Sequence, residues 1–388
     1  MAKRKESLIV GIDIGSTYIR ALGCIQEEGK RFPTVVASYK KHIEGIERGA
    51  IKDKDEVALM LEDVVDSITK DTELPIAHTL VALSAVPISS HHANGHTRVT
   101  RGDAQVTELD VDNAIKDAHK GVPDMRNKAI IHTIPLKYKL DGNDVPGDVL
   151  GMHGNKLEVK TLFVTYPETH MEPFKETLKD GRIRVTDIVA GPIAESVALL
   201  TKKQKVAGVL LLSIGSGVTS LLVYENNVPL LVSTIPVGGD DITKDIALGL
   251  KVSLQEAEDI KCGKTETHAR RKLEEIIEAR IEDLCIKINK ELDRIHRKEL
   301  LPAGVIVTGG SMHIPNLDVL LRRDLRLPIT ITTNELARIS NDSLRDTTWA
   351  RAYGLTFLAP HESQVEVIRL VLTSFFARVK GFFAQFLP

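Results

Sequence analysis

Aromatic side chains are scarce in this 388-residue chain, at 4% of the sequence. Few rings are therefore offered to the stacked bases of a single-stranded nucleic acid. An excess of charge of either sign is also missing, with 51 Lys and Arg against 53 Asp and Glu and a formal net charge of −2. No overall field favours a polyanion, and no nucleic-acid partner is expected. Cysteine is limited to Cys24, Cys262 and Cys285. Their odd number and lack of pattern argue against a disulfide framework and suit a reducing cytoplasm, where simple packing is their expected role. The opening Met1-Ala-Lys-Arg-Lys-Glu-Ser7 runs into a strand without an apolar signal core. The expectation is a protein that stays where it is made and meets any membrane from that side. At this length the chain should hold two or more domains.

The few aromatics that exist are gathered at one end. Five of the nine phenylalanines fall in the last fourteen residues. From Val365 to Leu387, the side chains of Ile368, Leu372, Phe375, Val379, Phe382 and Phe386 recur at steps of four and three. That spacing puts them on one helical stripe. Phe376, Phe383 and Val371 widen the stripe, and Arg369, Arg378 and Lys380 add positive charge. Such a helix lies flat in a bilayer surface, aromatic face down and cations among anionic head groups. Arg369, Arg378 and Lys380 interrupt every apolar window of about 20 residues, so a transmembrane span is not expected. The plainer alternative is a last helix packed on protein.

The most informative internal feature is a repeat at an offset of 200 residues. Leu8–Leu22 (LIVGIDIGSTYIRAL) aligns without gaps on Gly208–Leu222 (GVLLLSIGSGVTSLL). Each half predicts an apolar strand, a tight turn on Gly-Ser and a second strand. Gly15 and Gly215 give the turns backbone freedom, and successive N–H groups beside Ser and Thr hydroxyls suit phosphate oxygens. Two such hairpins in register imply duplicated lobes facing each other over a cleft. Ile235-Pro-Val-Gly-Gly-Asp-Asp-Ile-Thr243 follows the second hairpin and opens a helix with acidic residues in its first turn. A helix over Ser253–Lys261 sets Glu258 and Lys261 three apart on one face, a surface salt bridge if nothing else uses them. Gly304-Val-Ile-Val-Thr-Gly-Gly-Ser-Met312 predicts a buried strand and a turn where a purine ring lies against bare backbone.

Together these elements resemble the actin/Hsp70/sugar-kinase ATPase superfamily, and within it the chain is most similar to the FtsA family of actin-like membrane tethers of the bacterial division ring. The resemblance runs from about Leu8 to the C-terminus. It is carried by Val81-Ala-Leu-Ser84 and the insert after it, Gly238-Gly-Asp-Asp-Ile-Thr243, Ala257-Glu-Asp-Ile-Lys261 and the amphipathic end. It implies an α/β, ribonuclease H-like two-lobed fold with an FtsA-type 1C insert. It implies ATP and Mg2+ as cofactors, with Asp13, Gly15, Ser16, Thr17 and Tyr18 meeting phosphates and metal from one side. Asp13 would anchor the ion, directly or through water. Gly215, Ser216, Gly217 and Val218 would meet the phosphates from the other side. Gly238 and Gly239 would line the nucleotide, Glu258 and Lys261 the ribose or base, and Gly309, Gly310 and Ser311 the adenine. The implied partners are membrane lipids at the cytoplasmic face of the division site, an FtsZ-type ring protein, and further copies in a filament.

The expected layout is subdomain 1A over 1–83 and 166–204, the insert over 84–165, and a second lobe over 205–345. A return to 1A follows over 346–360, then a linker over 361–366 and the amphipathic helix over 367–388. In the insert, the pattern predicts a helix near Asp110–His119 and strands near Lys128–Leu140 and Lys156–Val164. The pilus protein PilM shares a similar insert, so a PilM-like cytoplasmic adaptor is the alternative function.

Departures from the family pattern matter as much. Ser213 stands where the superfamily's phosphate turn leads with Asp, Ser220 where FtsA often has another, and Gly191 where efficient ATPases place a water-orienting Glu. A serine brings no negative charge to a hydrated metal ion. Nucleotide binding with slow or absent hydrolysis is therefore expected. Only Cys262–His268 separates Lys261 from a charged helix over Ala269–Glu299, so the strand-rich subdomain 2B should be much reduced. In that helix Ile276, Ile277, Ile281, Leu284, Ile288 and Leu292 form the expected core face. The linker Ala359–Gln364 reaches only about 20 Å when extended, which would hold the body close to the bilayer. His91, His92 and His96 with Asp103 lack metal-ligand spacing, and the polar stretch ending in Ala-Asn-Gly-His96 suits a hairpin tip. Lys202-Lys-Gln-Lys205 suits a solvated linker between lobes. A small-molecule kinase would need a carboxylate base for which no good candidate exists, and no hydrolase triad is supported.

Overall fold

The computed structural model describes residues 7–360, apart from 31, 123, 333–335, 337–338 and 341–343. The expected linker and amphipathic helix over 361–388 lie outside the described residues. Two compact units emerge, one formed by residues 7–87 with Glu172–Ala359 and the other containing Ile88–Met171.

The chain begins with β1 (Leu8–Ile14), β2 (Tyr18–Ile25), β3 (Thr34–His42), β4 (Ile46–Glu47) and β5 (Ala50–Ile51), followed by α1 (Lys54–Thr72) and β6 (Ile76–Leu83). Next come β7 (Ser89–Arg98), α2 (Glu108–Lys120), β8 (Lys128–Leu140), β9 (Asn143–Val145) and β10 (Lys156–Pro167). The chain continues through α3 (Glu168–Asp180), β11 (Asp187–Ala190), α4 (Gly191–Leu199) and α5 (Lys202–Ala207). A second β-rich stretch holds β12 (Val209–Ile214), β13 (Thr219–Glu225), β14 (Val228–Ile235), α6 (Gly239–Leu250), α7 (Leu254–Lys261) and α8 (Arg270–Arg294). Then β15 (Val305–Thr308), α9 (Leu317–Leu325) and β16 (Ile329–Ile331) precede α10 (Ala350–Phe357).

Within the first unit, two five-stranded sheets repeat one topology. Their orders are β3-β2-β1-β6-β11 and β14-β13-β12-β15-β16. In each, three antiparallel strands are followed by parallel neighbours, β6 beside β1 and β15 beside β12. The offset of 200 residues survives in the ladders, since Ile14 opposes Ile19 and Ile214 opposes Thr219. Central strands with parallel partners are covered on both faces and read as continuous apolar runs. Accordingly, all seven residues of β1 and all six of β12 are buried. The outer strand β3 instead alternates half-buried and exposed positions.

The second sheet rests on α8, where Ile277, Ile281, Leu284, Ile288 and Leu292 enter a core with Leu210, Leu212, Leu221 and Val305. Ile276 is only partly buried against that core. Each fully covered Ile or Leu contributes about 2 kcal/mol, so this one helix face is a large part of the lobe's stability. Residues 262–269 connect α7 to α8 without a strand. Cys24 and Cys285 are buried in the packing, whereas Cys262 is exposed.

The second unit is an antiparallel sheet of order β7-β10-β8-β9. Helix α2 lays Val111, Ala114, Ile115 and Ala118 on it, with Leu157, Val159 and Phe163 beneath. Its N-cap Thr107 exchanges hydrogen bonds with Asp110, the reciprocal arrangement that starts a helix firmly.

Two expectations are corrected. His91–His96 is not a hairpin tip but part of β7, with His91 opposite Phe163 and His96 opposite Glu158. Gly95 is there for closeness, because a Cβ on it would lie 2.1 Å from the Ala114 carbonyl oxygen of α2. Lys202–Lys205 is solvated as expected at Lys202 and Lys203, but it is not a loose linker: it starts α5, capped by Thr201 and Gln204. Lys205 Nζ sits 4.9 Å from the centre of the Tyr224 ring, and burial lowers its pKa to about 8.

Candidate nucleotide site

The two hairpin turns close in the same way. Gly15 N donates to Tyr18 O at 3.1 Å, and Gly215 N donates to Val218 O at 2.9 Å. A Cβ on either glycine would come within 2.9 Å of that same carbonyl, so both turns depend on glycine. The turns also meet each other, through a 2.8 Å hydrogen bond from Thr17 Oγ1 to Ser216 Oγ. Ser16 Oγ accepts from Gly49 N at 3.2 Å and borders Gly217. The backbone N–H groups of Ser16, Thr17, Ser216 and Gly217 donate to no acceptor among the described residues. Converging backbone donors of this kind form an anion-binding concavity.

Tyr18 belongs to this turn through its carbonyl alone. Its ring packs edge-on against His42, and Lys40 Nζ lies 4.2 Å from the ring centre. Val218 likewise contributes its carbonyl, and its side chain is buried.

Helix α6 is tied to the second turn, with Gly239 N donating to Gly215 O at 2.9 Å and Asp240 N to Ser216 O at 2.8 Å. Gly238 approaches so closely that a Cβ would lie 2.2 Å from Ser216 O. Beside it, Lys261 Nζ donates to Gly239 O at 3.1 Å and Thr243 Oγ1 at 2.8 Å, and pairs with Glu258 Oε2 at 2.7 Å. The Lys261 side chain is only 7% exposed, so the pair is no ordinary surface salt bridge. Partial burial works to raise the Glu258 pKa, but hydrogen bonds from Lys261 and Thr243 bring it below its usual value.

The Gly309 turn closes the far side. Gly309 adopts φ +100°, a region few side chains tolerate, and a Cβ there would lie 2.5 Å from Ile214 O. Ser311 Oγ donates to Gly215 O at 3.1 Å, and open space surrounds Gly310. The structure thus brings Gly215–Val218, Gly238, Gly239, Glu258, Lys261 and Gly309–Ser311 into one neighbourhood, with Ser16 and Thr17 against it.

Asp13 is different. It is buried at the end of β1, and its Oδ1 accepts from Arg351 Nη1 at 3.4 Å. Arg351 Nη2 also donates to Glu195 Oε2 and to Ser213 Oγ, both at 3.0 Å. Ser213 Oγ in turn donates to Glu195 Oε1 at 3.1 Å. Burial alone would lower the Arg351 pKa, yet Glu195 and Asp13 more than reverse this and hold it above its usual value. The guanidinium is therefore a permanent cation between the ends of β1 and β12. Beside it, a Cβ on Gly191 would lie 1.9 Å from Ser84 Oγ and 2.9 Å from Arg351 Cδ.

Glu195, Arg351 and Thr243 were not expected. Two of them had a visible sign. Glu195 is the one charged residue of α4 (GPIAESVAL), and Arg351 the one charged residue of α10 (ARAYGLTF). A lone charge in an otherwise uncharged helix needs a partner when that helix is buried. Across the chain, Arg48 Nη2 pairs with Asp241 Oδ1 at 3.1 Å and links the first hairpin's lobe to α6.

The fold and its insert have counterparts among known proteins. One family profile, described as "Cell division protein FtsA", matches residues 210–354, and another, described as "SHS2 domain inserted in FTSA", matches residues 87–165. The chain belongs to the FtsA family. It is 25% identical over 372 residues to the cell division protein FtsA of Pseudomonas aeruginosa, covering 90% of this chain and 88% of that one. With its Bacillus subtilis counterpart it shares 27% over 335 residues, covering 80% and 75%. Among solved structures, the PilM-PilN type IV pilus biogenesis complex matches with a TM-score of 0.64 at 17% identity, over 90% of this chain and 97% of that one. MreB5 of Spiroplasma citri bound to ADP matches with a TM-score of 0.52 at 13% identity, over 93% and 97%. These likenesses show the actin-like fold, and the FtsA family makes the chain an actin homologue of the cell-division class.

Proposed function

We propose that this FtsA-family chain binds ATP between its two hairpins and tethers an FtsZ-type division partner to the cytoplasmic face of the membrane. The facing turns at Gly15 and Gly215 carry the nucleotide part, because four of their N–H groups have no acceptor among the described residues. Those donors suit phosphate oxygens. Lys261, Glu258 and Thr243 form a polar wall for the sugar or base, and the bare turn Gly309-Gly310 suits a flat ring.

Slow or absent hydrolysis follows from the same site. Gly191 bears no carboxylate to orient a water, and Glu195 is engaged by Arg351 and Ser213. Positioned water is as necessary to phosphoryl transfer as bound phosphate.

Residues 367–388 supply the membrane anchor in this reading, on the strength of their aromatic stripe and the flanking Arg369, Arg378 and Lys380. No helix among the described residues is long and apolar enough to cross a membrane. One amphipathic helix binds reversibly, so durable attachment calls for several copies in a cluster or filament. The short 262–269 connection leaves little surface for the contacts that subdomain 2B would supply, which favours a partner surface elsewhere on the second lobe. The PilM-like adaptor is not adopted, since that likeness concerns the fold alone.

Flotation with vesicles containing anionic phospholipid tests the tether. Full-length protein should rise with the vesicles, and a chain ending at Pro360 should stay below. Equal flotation of the two would refute the anchor.

A further inference from the structure

Asp13 and Ser213 stand at matching points of the duplicated hairpins, one residue before Ile14 and Ile214. A cation serving phosphates held between the two turns belongs between these side chains. The family resemblance puts Mg2+ there, with Asp13 as its anchor. The residues present do not fit that ion. Arg351 reaches Asp13 at 3.4 Å, Ser213 at 3.0 Å and Glu195 at 3.0 Å, and so already takes up the donor set. Asp13 and Glu195 are nearly fully buried, and the Arg351 side chain is only 15% exposed. Among the described residues no group of three or more His, Cys, Asp or Glu is placed to hold a metal ion.

The backbone that carries Arg351 is also fixed in place. Helix α10 lies so close to β1 that a Cβ on Gly11 would come within 2.2 Å of Ala352 O. Arg351 cannot withdraw along its helix without moving that contact. A divalent ion at Asp13 would face a permanent positive charge within a few ångströms, in a site where charges are weakly screened. Arg351 Nε, meanwhile, is buried without an acceptor among the described residues. Such an orphaned donor in a charged pocket is costly unless an acceptor arrives. Arginine is the side chain suited to phosphate, always charged and offering several N–H groups in a planar fork.

We propose that the Arg351 guanidinium takes the place of a divalent cation as counter-charge to the bound phosphates, so that this chain binds ATP without Mg2+. The inference rests on the nucleotide reading above, and the loss of charge at Ser213 is the other half of it. With Asp at that position the cluster would hold three carboxylates and favour a metal. With Ser it holds two, set against one guanidinium, and the turn N–H groups add partial positive charge where the phosphates would lie.

Isothermal titration calorimetry with ATP, in millimolar Mg2+ and in excess EDTA, tests this. The wild-type affinity should differ by less than about threefold between the two buffers. Arg351→Ala should bind at least about tenfold more weakly in EDTA and recover in Mg2+, as the freed Asp13 and Glu195 accept the ion. Arg351→Lys, which keeps the charge and disturbs packing least, should remain independent of Mg2+. Wild-type binding that disappears in EDTA overturns the inference while leaving the nucleotide reading intact. Arg351→Ala that matches wild type in EDTA overturns it as well. No ATP binding in either buffer overturns the nucleotide reading itself, and the inference with it.

Discussion

Gly354 and Ala194 bring α10 and α4 together with no room for a side chain, since a Cβ on Gly354 would lie 1.8 Å from the Ala194 carbonyl oxygen. Each helix delivers one charged residue, Arg351 from α10 and Glu195 from α4, and they pair at 3.0 Å. The absence of one methyl group is what lets the pair form. Gly354→Ala should therefore lower stability by about 2–4 kcal/mol through backbone displacement. Thermal denaturation measures it. A melting temperature within a degree of wild type would contradict so tight a contact.

Gly191→Glu, the substitution that would restore a water-orienting carboxylate, should fail to restore ATPase activity. Its Cβ would strike Ser84 Oγ and the Arg351 side chain. The expected results are a loss of stability of about 1–3 kcal/mol and no rise in phosphate release over wild type. A variant that is stable and hydrolyses ATP faster would show that Arg351 yields.

Lys261→Met removes three polar partners at once, Gly239 O, Thr243 Oγ1 and Glu258 Oε2. Glu258 then stands beside the site as an unbalanced negative charge. Affinity for ATP should drop by about tenfold or more, with a stability loss of about 1–2 kcal/mol. Titration calorimetry beside denaturant unfolding separates the two effects. Unchanged affinity would remove Lys261 from the nucleotide site.

Stability should also fall in mild acid because of His132 on β8. Burial lowers its pKa from 6.5 to about 4. Between those values the unfolded chain takes up the proton that the folded chain refuses, so stability decreases as pH drops from 6.5 through 4. The full effect is at most about 3 kcal/mol. Denaturant melts of wild type and His132→Gln at pH 7.5 and pH 4.5 check the sign. The variant should lose less stability on acidification, and a parallel loss in both would assign the slope to other groups.

The hairpins were legible in the sequence because each is local, a strand, a turn and a strand with its glycine in place. The gapless offset then required the same register twice, and Ile14–Ile19 and Ile214–Thr219 show it. The core face of α8 was legible for a similar reason, since its periodicity lies within one helix. Ile276 falls at the edge of that face and is only half-covered. The Arg351 cluster was not legible, because its partners are 138, 156 and 338 residues away and no local pattern links them. Gly95 misled because Asn-Gly is a turn dipeptide in isolation, whereas here the missing side chain admits a helix. What decides such glycines is the neighbour across the packing layer.

Pro360 lies nine residues beyond Arg351 and opens the stretch that leads to the aromatic tail. In the proposed tether, a pull on residues 361–388 would act on the backbone that continues from α10, the helix whose guanidinium bridges the ends of both central strands. Anchor and phosphate site would then share one lever.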